Sequence, residues 1–365
     1  MGAIPNLNFA VTAFQDSTRT RPAPVIRAFT PEIAEAWDGF VLAHPGGTFF
    51  HLLGWKRILE KTFGYEPCYF YAERGGRLTG VAPFFSIANW AVGRCLVSVP
   101  LAVYGGICAE DEESEQALLH HCKQFAAGQR VDYLELRSRN QELLPGFHRN
   151  TLYVTFVTEL SSDPAANLKK LPRDTRYMIR KAEKAGLQMR HGWDQLGDFY
   201  SLFAQSMHRL GTPVFPRSLF ENLATEFADQ SDLSVVYARS KPVAGVVSFF
   251  FRDAILPYYA GAAPEAPPLA ANNLMYWELM NHAAQRGIRC FDFGRSKKGT
   301  GSYAFKTQWN MRVEPLAYQV HLVRRRDVPN FSPVNPKFKL AASIWRRLPL
   351  SLATWMGPRV VRWFP

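Results

Sequence analysis

Cysteine is scarce in this sequence. Five residues, Cys68, Cys95, Cys108, Cys122 and Cys290, form an odd set with no CxxC spacing. Neither a disulfide framework nor a cysteine zinc site is expected, and a reducing, cytoplasmic setting fits. No apolar run reaches the ~18 residues of a membrane span. Residues 1–24 lack an apolar segment behind early basic residues, so no secretory signal is expected and we read them as a disordered lead-in. Acidic residues are also few: 31 stand against 43 Lys and Arg, giving a net charge of +12. Apolar residues, by contrast, make up 47% of the 365, enough for two cores and too much for a disordered chain. The 27 Phe, 14 Tyr and 9 Trp suit sheet cores and sites that hold long, flexible substrates.

The positive charge is unevenly placed. Residues 327–365, with the three arginines that precede them, form a basic aromatic tail: Arg324, Arg325, Arg326, Lys337, Lys339, Arg346, Arg347, Arg359 and Arg362 oppose Asp327 alone. A second run comprises Lys169, Lys170, Arg173, Arg176, Arg180, Lys181 and Lys184. Such runs favour phosphates, nucleic acid or anionic lipid, or simply form solvated surface. The tail alternates cations with Ile344, Trp345, Leu348, Leu352, Trp355 and Trp363. That pattern suits a helix lying in the interface of an anionic membrane, with Pro349 and Pro358 cutting it into short pieces. The alternative is a tail that folds back on the protein.

A weak internal repeat organises the rest. Tyr71-Ala72-Glu73-Arg74-Gly75-Gly76-Arg77 and Tyr237-Ala238-Arg239-Ser240-Lys241 each read as a strand entering a tight turn, and we expect the two tyrosines to be equivalent. Two helical stripes precede each hairpin: Ile33, Trp37 and Phe40, then 50–63, in the first copy; Leu196–Leu210, then Leu219–Phe227, in the second. A strand, a helix and a short strand follow each, and closing strands near 151–160 and 313–325 are expected to finish their own copies. This order is the plan of the GNAT acyltransferase fold, an α/β (α+β mixed-sheet) architecture. We therefore expect two tandem GNAT-like domains at 25–162 and 163–326, the second carrying the site. In that fold two central strands splay apart, and the freed backbone N–H groups can hold an acyl carbonyl.

The densest chemistry lies at 292–309. Asp292 ends a strand. Gly294, Arg295, Ser296, Lys297, Lys298 and Gly299 form a small, basic loop, and Tyr303, Phe305 and Trp309 bracket Lys306. Small residues let a backbone approach a ligand, and the cations suit a phosphate or a developing oxyanion. Asp292-Phe293-Gly294 has no kinase catalytic loop to accompany it. Gly294 and Gly299 have phosphate-loop spacing, but Thr300-Gly301 stands where Lys-Ser/Thr belongs. Ser296 stands where the pyrophosphate signature of coenzyme A acyltransferases begins.

The stretch Gly301-Ser302-Tyr303-Ala304-Phe305-Lys306-Thr307-Gln308-Trp309 resembles the Gly-Leu-Tyr-x-Phe-Lys-x-x-Phe signature of FemAB-type aminoacyltransferases. Thr175-Arg176-Tyr177-Met178-Ile179-Arg180-Lys181-Ala182 is similar to the family's Arg-x-x-Ile-x-Lys-Ala helix, and Tyr104-Gly105-Gly106 to its first glycine turn. The chain looks closest to the FemAB-like proteins associated with exosortase (PEP-CTERM) and exopolysaccharide genes. Arg209-Leu210-Gly211-Thr212-Pro213, Asp292-Phe293-Gly294-Arg295-Ser296 and the Pro336-Lys337-Phe338 to Leu348-Pro349 tail carry that likeness, over about residues 27–360. Asn310 stands where the peptidoglycan enzymes have Gly, and the coiled-coil arm of some members is missing.

The resemblance implies tandem GNAT domains and transfer of an acyl or aminoacyl group to an amine. It implies no permanently bound cofactor and a donor that is aminoacyl-tRNA or acyl-CoA. The acceptor would be a cell-envelope, peptidoglycan or exopolysaccharide precursor, lipid-linked in one form. Lys306 falls on the family's active-site lysine. Asp292 or Tyr303 would orient or deprotonate the amine, and Arg295, Ser296, Lys297, Lys298, Arg176, Arg180, Tyr104, His208, Arg209 and Trp309 would bind substrate. Metal ligands are not expected: His120 and His121 lie mid-helix with no acid at ligand spacing. Two other readings stay open: an acyl-CoA-dependent N-acyltransferase acting on an amino sugar, and a non-catalytic membrane-surface or RNA-binding protein that kept the fold.

Overall fold

The computed structural model describes residues 22–90, 92–139, 142–316, 318–328 and 336–364. The lead-in expected over 1–24 therefore lies almost wholly outside the described residues. The first half runs β1 (Val25–Ala28), α1 (Ala34–Ala43), α2 (Leu53–Phe63), β2 (Glu66–Arg74), β3 (Arg77–Asn89), β4 (Gly93–Ser98), β5 (Cys108–Ala109), α3 (Glu112–Gly128), β6 (Tyr133–Leu136), β7 (His148–Asn150) and β8 (Tyr153–Glu159). The second half begins with α4 (Pro164–Lys170), α5 (Arg173–Lys184), β9 (Leu187–His191), α6 (Leu196–Leu210), α7 (Arg217–Glu226), β10 (Ser231–Ala238), β11 (Lys241–Phe251) and β12 (Ala254–Ala262). It continues with α8 (Ala266–Leu269), α9 (Ala271–Gln285), β13 (Cys290–Asp292), β14 (Ser296–Lys297), α10 (Gly301–Thr307), β15 (Arg312–Pro315) and β16 (Tyr318–Leu322). The tail forms α11 (Pro336–Arg347) and α12 (Leu350–Val361).

Local chemistry fixes these elements. α2 ends at Gly64, whose φ of +68° makes the left-handed cap. The β2–β3 turn uses Gly75 and Gly76 at φ +59° and +77°, the double positive pair that a two-residue hairpin demands. Asp111 caps α3 by accepting from the Ser114 N–H at 2.9 Å.

Each half builds one mixed sheet, ordered β1-β2-β3-β4-β6-β16-β7 and β14-β8-β13-β12-β11-β10-β9. The parallel pairs among the described strands are β4–β6 and β12–β13, each joined through a helical crossover. Both are short. Cys95–Val97 pair with Tyr133–Glu135, and Ala254–Ile255 with Cys290–Phe291. Beyond those residues the strands part, as the tandem GNAT plan requires.

The closing strands do not stay in their own copies. β8, from the first half of the chain, lies in the second sheet between β13 and β15. β16, from the second half, lies in the first sheet between β6 and β7. The chain order expected a boundary at 162/163; the sheets cross it. The exchange occurs at one place, where the Leu316 N–H donates to the Tyr153 carbonyl at 3.0 Å. β7–β8 and β15–β16 thus form an antiparallel ribbon that runs from one sheet into the other.

The two tyrosines are not register-equivalent either. Counting back from each turn, Arg74 pairs with Arg77 and Ala238 with Lys241. Tyr71 then matches Val235, two residues from Tyr237. A two-residue slip keeps a strand side chain on the same face, so both tyrosines still enter one core. The hydrophobic pattern is blind to such a slip, and the tandem fold stands without it.

One apolar cluster joins the halves. Phe49, Phe50 and Trp55 meet Phe227, Phe249 and Tyr258. α2 packs on α7 so closely that a Cβ on Gly54 would lie 2.6 Å from Phe227. The tail folds back on this body. α12 buries Ala353, Gly357 and Val361, and a Cβ on Gly357 would lie 2.7 Å from Val214. Tyr65 and Asn89 donate to the carbonyls of Arg362 and Trp363. Pro349 separates α11 from α12 as expected, whereas Pro358 lies inside α12 without ending it. Lacking an N–H, it gives up one i→i−4 bond there, and the helix continues to Val361.

The exchange predicts that neither 1–162 nor 163–365 folds alone, because each lacks a strand its sheet needs. Circular dichroism of the separate pieces should show little structure. Co-expressed, they should copurify at one to one.

Candidate active site

Asp292 ends β13 where it parts from β12. It is buried, and its carboxylate is held by three donors from three parts of the chain. Oδ1 accepts from Thr155 Oγ1 on β8 (2.5 Å) and from the Gly294 N–H (2.9 Å). Oδ2 accepts from the Tyr104 hydroxyl (2.5 Å), on the loop after β4 in the first half. Charge-assisted bonds of this kind are what a buried carboxylate needs. Burial and the neighbouring carboxylate hold the Tyr104 hydroxyl well above its ordinary range, so it stays a donor.

Lys306 stands behind this group on α10, a helix capped by the Thr300 side chain. Its Nζ donates to the carbonyls of Phe293 (2.6 Å) and Gly294 (3.0 Å) and reaches that of Arg295 (3.5 Å). The ammonium therefore clamps the turn that follows Asp292, where Gly294 takes φ +68°. Burial lowers its pKa to about 8; Asp292 opposes that shift and Arg295 reinforces it.

The rest of the cleft is aromatic and cationic. Arg295 keeps exposed surface although protein surrounds it, and its guanidinium lies over the rings of Tyr153 (5.1 Å) and Tyr318 (6.0 Å). Tyr258 and Tyr318 donate to the carbonyls of Leu101 (2.6 Å) and Val103 (2.8 Å), tying the second half to the loop that carries Tyr104. Val99 and Leu101 take φ +52° and +60°, an unfavourable conformation for branched side chains that the surrounding contacts maintain. Tyr258 is the extra residue of a β-bulge, a common way to re-aim a side chain beside a site. Arg139 lies over the Tyr104 ring at 4.6 Å.

The corresponding gap in the first half is filled. Past Val97 and Glu135, buried Arg137 takes the Ser98 hydroxyl on its N–H (2.8 Å), and its guanidinium bonds Glu135 (2.7 Å) and the Ala102 carbonyl (3.2 Å). In the second half the parted strands hold a buried polar group instead, Asp292 with Thr155, Tyr104 and the turn that Lys306 clamps.

Of the residues singled out from sequence, Asp292, Lys306, Tyr104 and Arg295 come together. Tyr303 lies one turn before Lys306 with its ring edge on Phe156 (5.5 Å). Ser296 is buried, its hydroxyl without a partner, while Lys297 is half-buried and Lys298 exposed. Arg176 and Arg180 face outward on α5, whose Thr175 donates to the Gln308 carbonyl (2.5 Å).

Three expectations need correction. Trp309 is 1% exposed and packs with Phe293, Phe305 and Tyr276, so it is core and cannot touch substrate. His208 bonds the Leu348 carbonyl (2.9 Å) and serves to dock the tail. Arg209 bonds Ser206 (3.1 Å) and the Ala262 carbonyl at the far end of β12. Sequence reasoning missed Thr155, Tyr153, Tyr258, Tyr318 and Arg139. The strand exchange hid the first two and Tyr318, because each was assigned to the wrong sheet.

Comparison with known proteins agrees with this geometry. Residues 169–307 match the family model for the acetyltransferase (GNAT) domain, a span that includes both Asp292 and Lys306. No curated protein matches the chain. The crystal structure of FemX superposes with a TM-score of 0.65 at 15% identity, covering 87% of this chain and all of that one. The C-terminal domain of a putative lysylphosphatidylglycerol synthetase from Agrobacterium fabrum gives 0.55 at 13% identity, over 90% and 96% of the two chains. A tandem GNAT protein from the clavulanic acid biosynthesis pathway gives 0.52 at 11% identity, over 83% and 100%. Residues 169–307 thus carry a match to the GNAT acetyltransferase domain, and the chain as a whole has the fold of tandem GNAT structures.

Two measurements probe the clamp. Thr155→Val should leave a buried Asp292 oxygen one donor short and lower stability by about 1–3 kcal/mol in denaturant titrations. An unfolded lysine keeps its ordinary value of 10.5, against about 8 in the native protein. Between those values the unfolded chain holds the extra proton, so native stability rises with pH. The wild type should therefore gain stability relative to Lys306→Met between pH 7 and pH 10.

Proposed function

We propose that this chain transfers an acyl or aminoacyl group to an amine, making an amide bond on a cell-envelope or polysaccharide precursor. The carrying observation is the convergence of Asp292, Tyr104, Thr155 and the Lys306-clamped turn where β12 and β13 part. Backbone N–H groups freed there can hold the acyl carbonyl and its oxyanion. Lys306 acts as a positioning residue whose charge favours the tetrahedral intermediate. Three donors already occupy Asp292, which suits it to orient Tyr104 and hold the amine by electrostatics. Arg295, with Lys297 and Lys298 on the following loop, would take a phosphate of the donor or the acceptor. Much of the rate would come from holding the two reactants together.

Aminoacyl-tRNA fits the donor role better than acyl-CoA. A diphosphate needs unpaired N–H groups at a helix N-terminus. The loop from β12 into α9 contains Pro264, Pro267 and Pro268, which have no N–H. The N–H groups of Ala270, Asn273 and Leu274 are already bonded to Pro267 and Ala270. On α5, outward-facing Arg176, Arg180, Lys181 and Lys184 beside exposed Tyr177 offer a surface for RNA phosphates.

The tail supports a peripheral membrane reading. Leu340, Ile344, Leu350, Leu352 and Trp355 remain exposed among Arg346, Arg347 and Arg359, even with the opposite face of α12 docked. No helix of the described residues is long and apolar enough to cross a membrane. A lipid-linked precursor would place the acceptor at that surface.

Purified protein should transfer label from aminoacyl-tRNA to an amino-sugar acceptor and not from acetyl-CoA; CoA-dependent transfer by the wild type would reverse the donor assignment. Lys306→Met should lower that transfer on the order of 10²–10³-fold, the scale of a lost transition-state donor. On anionic vesicles, a chain cut at residue 335 should sediment less than the intact one, and salt should abolish the difference.

A further inference from the structure

We propose that His191, Asp232 and His282 form a site for one divalent transition-metal ion of the zinc class. His191 ends β9, Asp232 lies on the neighbouring β10, and His282 lies near the end of α9, which packs over both strands. One ligand atom from each lies within 4.8 Å of the others. The strand register pairs His191 with Ser234, and Asp232, two residues away, shares its face. His191 Nδ1 lies 2.8 Å from Asp232 Oδ2, and the Ser234 hydroxyl bonds both, at 3.0 and 3.2 Å. The two imidazoles stack with centroids 4.3 Å apart and planes at 22°.

Two imidazoles and one carboxylate are donors that suit zinc, cobalt or nickel and leave a coordination position for water; calcium and magnesium prefer oxygen alone. Tetrahedral zinc with ~2.0–2.1 Å bonds sets its ligand atoms about 3.3 Å apart. Rotation of His191, which is exposed, closes the remaining distance. The ion takes the place of the proton shared by His191 and Asp232, and that proton leaves to solvent. Ser234 then remains as the outer hydrogen bond that orients the carboxylate. Glu278, one turn before His282, faces His191 and Glu183 on α5, and Arg286 faces His282. Bound metal would pin β9, paired only with β10 among the described strands, to the helix that leads into β13 and Asp292.

Isothermal titration of the chelator-treated full chain with zinc chloride tests this. One ion per chain is expected at micromolar affinity or better, with zinc raising the melting temperature and cobalt giving tetrahedral visible bands. His282→Asn and His191→Asn should each weaken binding at least tenfold, and a double His120→Ala, His121→Ala variant should bind normally. If His282→Asn fails to fold by circular dichroism, His191→Asn, at the exposed strand end, carries the test. Absence of stoichiometric zinc, unchanged affinity in His191→Asn, or loss of binding in the His120/His121 variant overturns the proposal.

Discussion

The exchange of β8 and β16 is the constraint on which the rest of the structure depends. Each sheet completes itself with a strand from the other half, so the two domains cannot separate without breaking both ladders. Unlike a docked interface of side chains, this one is made of backbone hydrogen bonds, whose loss inside a sheet leaves buried groups unpaired. Thr155 reaches Asp292 only because β8 has crossed, and Tyr318 faces Arg295 only because β16 has. The site thus belongs to the junction.

Symmetry of fold makes the asymmetry of chemistry easier to see. Both halves splay their central strands, yet Arg137 and Ser98 fill the first gap while Lys306 clamps a glycine turn beside Asp292 in the second. A buried lysine that spends its donors on three carbonyls is costly to desolvate, and its depressed pKa expresses that cost. The gain is a rigid turn beside a carboxylate that is itself fully engaged. The strained backbone at Val99 and Leu101 works to the same end from the opposite wall.

Element types, their order and the tandem plan were legible in the sequence, because hydrophobic periodicity and turn residues report them directly. Asp292 and Lys306 were legible through a local motif. What escaped was every relation that local pattern does not encode. The two-residue slip between Tyr71 and Tyr237 preserves the face, so period-2 alternation could not reveal it. Trp309 shares a motif with Lys306, but it lies past the end of α10, where its ring packs on Phe293, Phe305 and Tyr276. Strand partners were out of reach, since nothing in the residues of β8 says which sheet it joins. Pro349 and Pro358 look alike in sequence; one caps the start of α12 and the other lies inside it, where packing of Ala353, Gly357 and Val361 holds the helix.

The crossed ribbon also sets the order in which the molecule can be finished. During synthesis the first sheet waits for residues 318–322, nearly the whole length of the chain, before β6, paired with β4, gains its second neighbour. β8 meanwhile emerges with no sheet to enter until β13 follows, more than a hundred residues later. The nascent first half is thus held as an incomplete sheet with an open edge, a state that natural proteins shield against unwanted pairing. Completion of either domain is completion of both, so the group around Asp292 is assembled in a single late event and is absent from any partly made chain.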